Sequence, residues 1–465
     1  MSGPVSLEQH RGKEDTLTLR LASPSQVTAA LRLPRIGAGR RVHPDDAVDE
    51  LAARLAERIG PAVHPYEVAA LLESEGLTGE AITEKYGHRD LFSLADDLFT
   101  RVPRDFPEPP GAVDPWTPDP VRCALRGALF GLPGLAYPLT SGLWFSDGAV
   151  AALVVAGLVS WAWSQGLAHR AYLRLASGRH EAGRTLLYGA PAGALLASGA
   201  ATALAGPSPA ALFAVWQSVY LAAAGVLLVF ARERLLLATL VPVIGGAAVL
   251  PWADPGPWVR AGLPALTAVL VVAAAGRATR AAVREDPAPG ALRPGVLVSL
   301  PYGLFGLGAG VLVMCAGLRH PWAVIVLTLS MGPAEWLLFR YRGLSVAALR
   351  RARTPAGFRR TSALVLGGCL AVYLLPLAPA AYVAGAGIAP LLALAAVLWT
   401  ALLLQAFGIA WIPAALTLCA AAGVAADALL RPPAGPLVPL LWCGAAAAGL
   451  LACALHLLGR PTAHA

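Results

Sequence analysis

Charge is what this chain has least of. Asp, Glu, Lys and Arg make up 14% of its 465 residues, against 57% hydrophobic, and its mean hydropathy is +0.61. Soluble globular domains carry about 25% charged residues, so that class is excluded. Lysine is nearly missing: Lys13 and Lys85 are the two in the chain, and arginine carries the remaining basic charge. The net charge of +8 is not a nucleic-acid footprint, because it lies in loops between apolar runs while the segment 43–102 is net acidic.

Cysteine is also scarce. Cys123, Cys315, Cys369, Cys419, Cys443 and Cys453 all fall in apolar runs and none forms CxxC. That pattern excludes a disulfide framework and a zinc site, and reads as small buried hydrophobes. No GxxxxGK[ST] is present, so ATP hydrolysis through a P-loop is excluded; HExxH, GxSxG and metal-spaced His/Cys clusters are missing too. These absences predict a protein that is not an enzyme and holds no metal or cofactor. FGLGAG (Phe305 to Gly310) contains GxG inside an apolar run, where small residues predict close helix packing, not nucleotide binding. No apolar h-region follows Met1, so no cleavable signal peptide is expected.

What the chain does have is apolar runs of membrane length. From Val121 onward about twelve spans are predicted. The first six are 121–139, 146–168, 186–205, 209–231, 235–252 and 261–276. The second six are 295–318, 321–339, 361–381, 386–407, 409–429 and 435–457. Arginines alternate with them. Arg170, Arg174, Arg179, Arg184, Arg232, Arg234, Arg277, Arg280, Arg284, Arg293 and the cluster Arg340 to Arg360 share one side, whereas Arg260, Arg319 and Arg431 fall on the other. The positive-inside rule then places both chain ends in the cytoplasm of a multi-pass protein of the inner (plasma) membrane.

The polar start of the chain reads differently. Residues 1–42 are irregular, with a candidate strand at Thr16–Ser23 and a basic stretch at Ile36–Arg41. Residues 43–102 predict a small cytoplasmic domain of four amphipathic helices. The first is capped by Asp45 and Asp46 and carries Val48, Leu51, Leu55 and Ile59 on one face. Pro65 opens the second, Thr78 caps the third, and the fourth runs from Asp90 to Val102. Its acidic surface predicts docking of a cytoplasmic protein partner and argues against nucleic acid as a ligand. Residues 103–120 are a proline-rich spacer whose Trp116 is a candidate for the bilayer surface. Beyond it lie a first membrane lobe (121–276), a cytoplasmic inter-lobe loop (277–294), and a second lobe with a short tail (295–465).

A weak internal repeat ties the lobes together. Ser160, Gln165, Leu167 and Arg170 fall on Ser330, Glu335, Leu337 and Arg340 at an offset of about 170, and Arg184-Thr185 falls on Arg360-Thr361 after a longer loop. Parallel repeats of this kind build many transporters. The fold expected is therefore all-α and polytopic, with two pseudo-symmetric six-helix lobes.

Candidate functional residues are the polar ones at membrane depth. Glu335, behind Pro333 near the end of the eighth span, is a functional candidate; the alternative is a pair with Arg340 or Arg342 at the interface. Arg122 and Arg126 share one face of the first span, with no carboxylate in that span to pair with. They are either a positive-inside anchor or a cationic lining for a phosphate-bearing head group. Gln165, Gln217 and Gln405 are uncharged polar groups that hold helices together or contact a substrate. Trp161, Trp163, Trp216, Tyr220 and Tyr302 are candidate cavity aromatics, or else belt and packing residues.

The stretch SQGLAHRAYLRLASGRHEAGRTLL (Ser164 to Leu187) resembles the end of the second span and following loop of the multidrug/oligosaccharidyl-lipid/polysaccharide flippase superfamily. LLVFARERLLLATLVPVIGGAAVL (Leu227 to Leu250) is similar to the short charged turn between that superfamily's fourth and fifth spans. The resemblance covers roughly residues 120–460 and implies six plus six spans and alternating access. This chain lacks the acidic residue that drug-exporting members carry in the first span, and Arg122 and Arg126 are closer to what lipid II or polysaccharide flippases use to hold a pyrophosphate. A flippase-like transporter of a lipid-linked or amphiphilic anionic substrate is the expected function. A non-transporting envelope-assembly scaffold and a major-facilitator-like transporter are the alternatives. The loop RLASGRHEAGR lacks the acidic residue of the major-facilitator signature.

Overall fold

The computed structural model describes residues 44–103, 117–141, 149–291, 294–430, 435 and 437–464. The candidate strand Thr16–Ser23, the stretch Ile36–Arg41, Trp116, Arg293 and Arg431 lie outside them. The described residues are helical, with no strand among them, and divide into two compact units.

The first unit is the four-helix domain: α1 (Pro44–Ile59), α2 (Pro65–Ser74), α3 (Gly79–Glu84) and α4 (Leu91–Arg101). Val48, Leu51, Leu55 and Ile59 are buried as their spacing predicts, packed with Leu72, Leu94 and Leu98. Asp45 and Asp46 lie inside the first turn of α1, which starts at Pro44, instead of capping it; the starts of α3 and α4 are capped by side chains. Thr78 accepts the Ala81 N–H at 3.3 Å, and Asp90 and Ser93 form a reciprocal capping box. Arg101 ties the last helix to the first, donating to Asp49 at 2.7 Å and to Asp97 on its own helix at 2.8 Å.

The second unit is the membrane bundle. Its helices are α5 (Pro120–Gly131), α6 (Ala136–Thr140), α7 (Ala149–Leu175), α8 (Arg179–Ala205), α9 (Pro209–Val229), α10 (Glu233–Val249) and α11 (Pro257–Val283). There follow α12 (Leu300–Arg319), α13 (Pro321–Leu329), α14 (Met331–Arg351), α15 (Pro355–Val383), α16 (Ile388–Ala406), α17 (Trp411–Leu430) and α18 (Leu437–Leu457). Among the described residues ten candidate spans, counting α13 and α14 as one, are long and apolar enough to cross a membrane. The first predicted span is instead broken: a 3-10 turn, Leu132–Leu135, joins α5 to α6 at Pro133. The fifth, α10, has 17 residues. Pro333 breaks the eighth in the same way, since its ring removes the N–H that would bond Leu329 and crowds that carbonyl. The helix accordingly restarts at Met331.

Helix ends differ from the sequence reading. The predicted spans stop at 168 and 339, yet α7 runs to Leu175 and α14 to Arg351; α8 and α15 start early, at Arg179 and Pro355. The basic loops shrink to 176–178 and 352–354, and the extra residues of the second copy lie in α14, not in a longer loop. Likewise α11 extends to Val283, shortening the inter-lobe loop. Arginine ends an apolar run but not a helix, because its long stem follows the helix surface to the interface.

Two separate cores define the lobes, one drawn from residues between Leu129 and Ala282, the other from Phe305 to Leu458. Each lobe contains a turn of the same type. After α9 the Arg232 N–H bonds the Leu227 carbonyl at 2.9 Å, and after α16 the Ile409 N–H bonds Leu404 at 3.0 Å. Each turn carries one residue at positive φ, Ala231 (54°) and Gly408 (78°), as a Schellman C-cap requires.

The lobes meet along two glycine crossings. On α7 and α12, Gly166, Gly303 and Gly306 bring the backbones together, so the glycines of FGLGAG serve packing as predicted. On α5 and α14 the approach is tighter: a Cβ on Gly127 would sit 2.9 Å from the Gly332 nitrogen. Small residues permit that contact and nothing larger does.

Candidate functional site

A cavity of about 350 Å³ lies between the lobes. Phe130, Trp161, Gln165, Trp216 and Gln217 line it from the first lobe, and Phe305, Met314 and Thr328 from the second. The broken first span makes room for it, since Gly131 at the end of α5 and Pro133 and Gly134 of the 3-10 turn form part of the wall. The wall is mostly apolar with a few placed polar groups, the usual make-up of a ligand pocket. Tyr137 donates its O–H to Gln217 Oε1 at 2.9 Å, which fixes that amide.

Of the candidates named from sequence, Trp161, Trp216, Tyr220, Gln165 and Gln217 share this cavity. Trp163 does not: its indole N–H bonds the Gly189 carbonyl at 2.7 Å and its ring packs on Gly193 of α8. Tyr302 lines a smaller adjoining pocket with Arg126, Phe130, Gln165, His169 and Tyr172. Phe130 and Gln165 border both spaces. Gln405 is buried in the core of the second lobe.

The arginine-rich side of the site carries an ion cluster built from three helices. Arg126 Nε, on α5, donates to Glu233 Oε1 at 2.9 Å, and Arg122 Nε donates to the same oxygen at 3.1 Å. Arg126 also donates through Nη1 to Glu335 Oε1 on α14. One guanidinium thus joins a carboxylate of the first lobe to a carboxylate of the second. Arg126 and both glutamates are largely shielded, with side-chain exposures of 16% for Arg126, 7% for Glu233 and 14% for Glu335, whereas Arg122 at 39% is half exposed. The sequence alternative that paired Glu335 with Arg340 or Arg342 is replaced by this arrangement as regards Arg342. That side chain donates to the Ala406 carbonyl at 3.4 Å and stacks over the Phe407 ring at 5.0 Å.

Two members of the site were not singled out from sequence. Glu233 lies in ARERL between two arginines, which reads as a solvated turn. Its signal is positional: it is the first residue of α10, where the helix dipole favours a carboxylate. His169 lies one residue past the predicted end of the second span, hidden among loop arginines. It is buried, stacks on Tyr302 with ring centroids 3.6 Å apart, and its Nδ1 lies 3.0 Å from Ser299 Oγ.

Chemically the arrangement offers a fork of guanidinium donors beside an apolar chamber, which suits an anionic head group with an apolar body. Carboxylates occupy those donors in this state. Compared with protein-family models and with curated proteins, the chain matches none.

Proposed function

We propose that the protein is a flippase-like membrane transporter of a lipid-linked or amphiphilic anionic substrate, serving cell-envelope or polysaccharide export by alternating access between its lobes. The observation that carries this reading is the bridge at Arg126, which one carboxylate from each lobe holds, beside a small pocket that shares Phe130 and Gln165 with the inter-lobe cavity. A phosphate of the substrate competes with Glu335 for Arg126. Once it wins, a polar link between the lobes is gone and the α5–α14 crossing is free to part. The substrate bound at Arg126 replaces the carboxylate, so the guanidinium is not left buried and unpaired, a situation that costs about 3–5 kcal/mol. The apolar body occupies the chamber lined by Trp161 and Trp216.

A scaffold would need neither this chamber nor a guanidinium shared between lobes. The acidic four-helix domain serves to recruit a cytoplasmic partner in either case. Cells lacking the protein are expected to accumulate a polyprenyl-linked or similar anionic lipid on the cytoplasmic leaflet, measured by lipid profiling with leaflet-selective labelling. An unchanged lipid profile would sink the transport reading.

Orientation belongs to the same proposal. The arginine-rich loops support an orientation with the ion cluster and both termini on the cytoplasmic side of the plasma membrane. Reporter fusions after Pro289 are expected to read cytoplasmic and those after Pro255 external; the reverse pattern would invert the topology.

A further inference from the structure

The ion cluster is neutral as built. Arg122 and Arg126 bring two positive charges, and Glu233 and Glu335 bring two negative ones. An anion that takes Arg126 therefore leaves one carboxylate behind in a shielded place. Glu335 is the one released, because among the described residues its ion pair is to Arg126, whereas Glu233 is also held by Arg122.

The groups around Glu335 do not supply a replacement cation. Arg126 on α5 is its ion-pair partner, and Cys123 on α5 and Tyr172 on α7 lie within electrostatic reach of it. Arg122 already serves Glu233, and His169 is turned toward Ser299 and Tyr302. Charge balance then demands that a cation enter with the anion. A metal ion wants several oxygen ligands, and among the described residues no group of three or more His, Cys, Asp or Glu is placed to hold one. A proton needs a single oxygen.

We propose that binding of an anionic head group at Arg126 is coupled to uptake of one proton by Glu335, so that the substrate is carried together with a proton. The inference rests on the transport reading above. The step balances: the Arg126 N–H exchanges a carboxylate oxygen for a phosphate oxygen, and a proton from water converts the Glu335 carboxylate to the acid. With a singly charged phosphodiester the cluster and its ligand are again neutral.

The test uses full-length protein in lipid nanodiscs and dioctyl phosphate, a diester that stays fully ionised near neutral pH. Calorimetric titration in two buffers of different ionisation heat counts the protons taken up. About one proton per bound diester is expected, with affinity falling about tenfold per unit rise in pH. Glu335→Gln should bind with no proton uptake and a flat pH profile. Wild-type binding without proton uptake overturns the proposal whatever the variants do, as does uptake that survives in Glu335→Gln. Binding that requires sodium and releases or takes up no proton overturns it in favour of a metal ion. Absence of any diester binding is a different result: it removes the anion-binding reading itself, and this inference with it.

Discussion

Arg126→Ala is expected to lower export at least a hundredfold in protein that inserts normally. The substitution leaves Glu233 with Arg122 alone and Glu335 without its ion pair, and it deletes the donor fork offered to the substrate. A loss of about 3 kcal/mol, the lower end for removing one partner of a buried pair, corresponds to roughly a hundredfold. Arg122→Ala should cost far less, several-fold at most, because its side chain is half exposed and it shares an acceptor already held by Arg126. Glu335→Gln should lose export while retaining the fold, since an amide is isosteric with the carboxylate. The charge-swapped pair Arg126→Glu with Glu335→Arg should recover part of the activity. Full recovery is not expected, because the new glutamate would lie against Glu233. Near-normal initial rates of vesicle export in all the single variants would eliminate the bridge as part of the transport cycle.

Gly332→Leu should have a comparable effect for a purely steric reason. A Cβ at Gly332 would sit 2.8 Å from the Cys123 carbonyl oxygen, and one at Gly127 would sit 2.9 Å from the Gly332 nitrogen. Both clashes are with backbone, so no rotamer change relieves them and α5 must move off α14. The arginine-rich side then cannot close. Cys123 provides a native probe, since it is buried on the same face of α5. Its labelling by a water-soluble maleimide is expected to rise at least tenfold in Gly332→Leu, with export lost. Gly367→Ala is the control, because a Cβ there meets open space. Labelling of Cys123 at the wild-type rate in Gly332→Leu would show that the crossing does not govern closure.

The sequence carried most of the fold but only part of the site. Helix starts were legible where a cap or proline marked them, as at Thr78, Asp90 and Pro65. Helix ends at the membrane interface were not, because an arginine run stops hydropathy without stopping the backbone, as α7 and α14 demonstrate. The turns at Ala231 and Gly408 share geometry and only a preceding phenylalanine in sequence, so the pattern does not announce them. Arg126 and Glu335 stood out because charge is rare in an apolar run. Glu233 did not, since its flanking arginines made it look solvated, although its side chain is 7% exposed. Burial of that kind depends on which helices cross above a turn, a tertiary fact that local pattern does not encode. The Gly127–Gly332 contact is hidden for the same reason: each glycine is unremarkable until the partner helix is known.

The central claim is that the lobes part on the arginine-rich side when the Arg126 bridge is broken. Spin labels placed at Arg234 on α10 and Arg340 on α14, both exposed, report that separation directly by double electron–electron resonance in a background without native cysteines. The account predicts one dominant short distance in the otherwise unmodified protein, and a second, longer population in Glu335→Gln and on adding dioctyl phosphate. A single distance that stays the same in the variant and with the diester would contradict it.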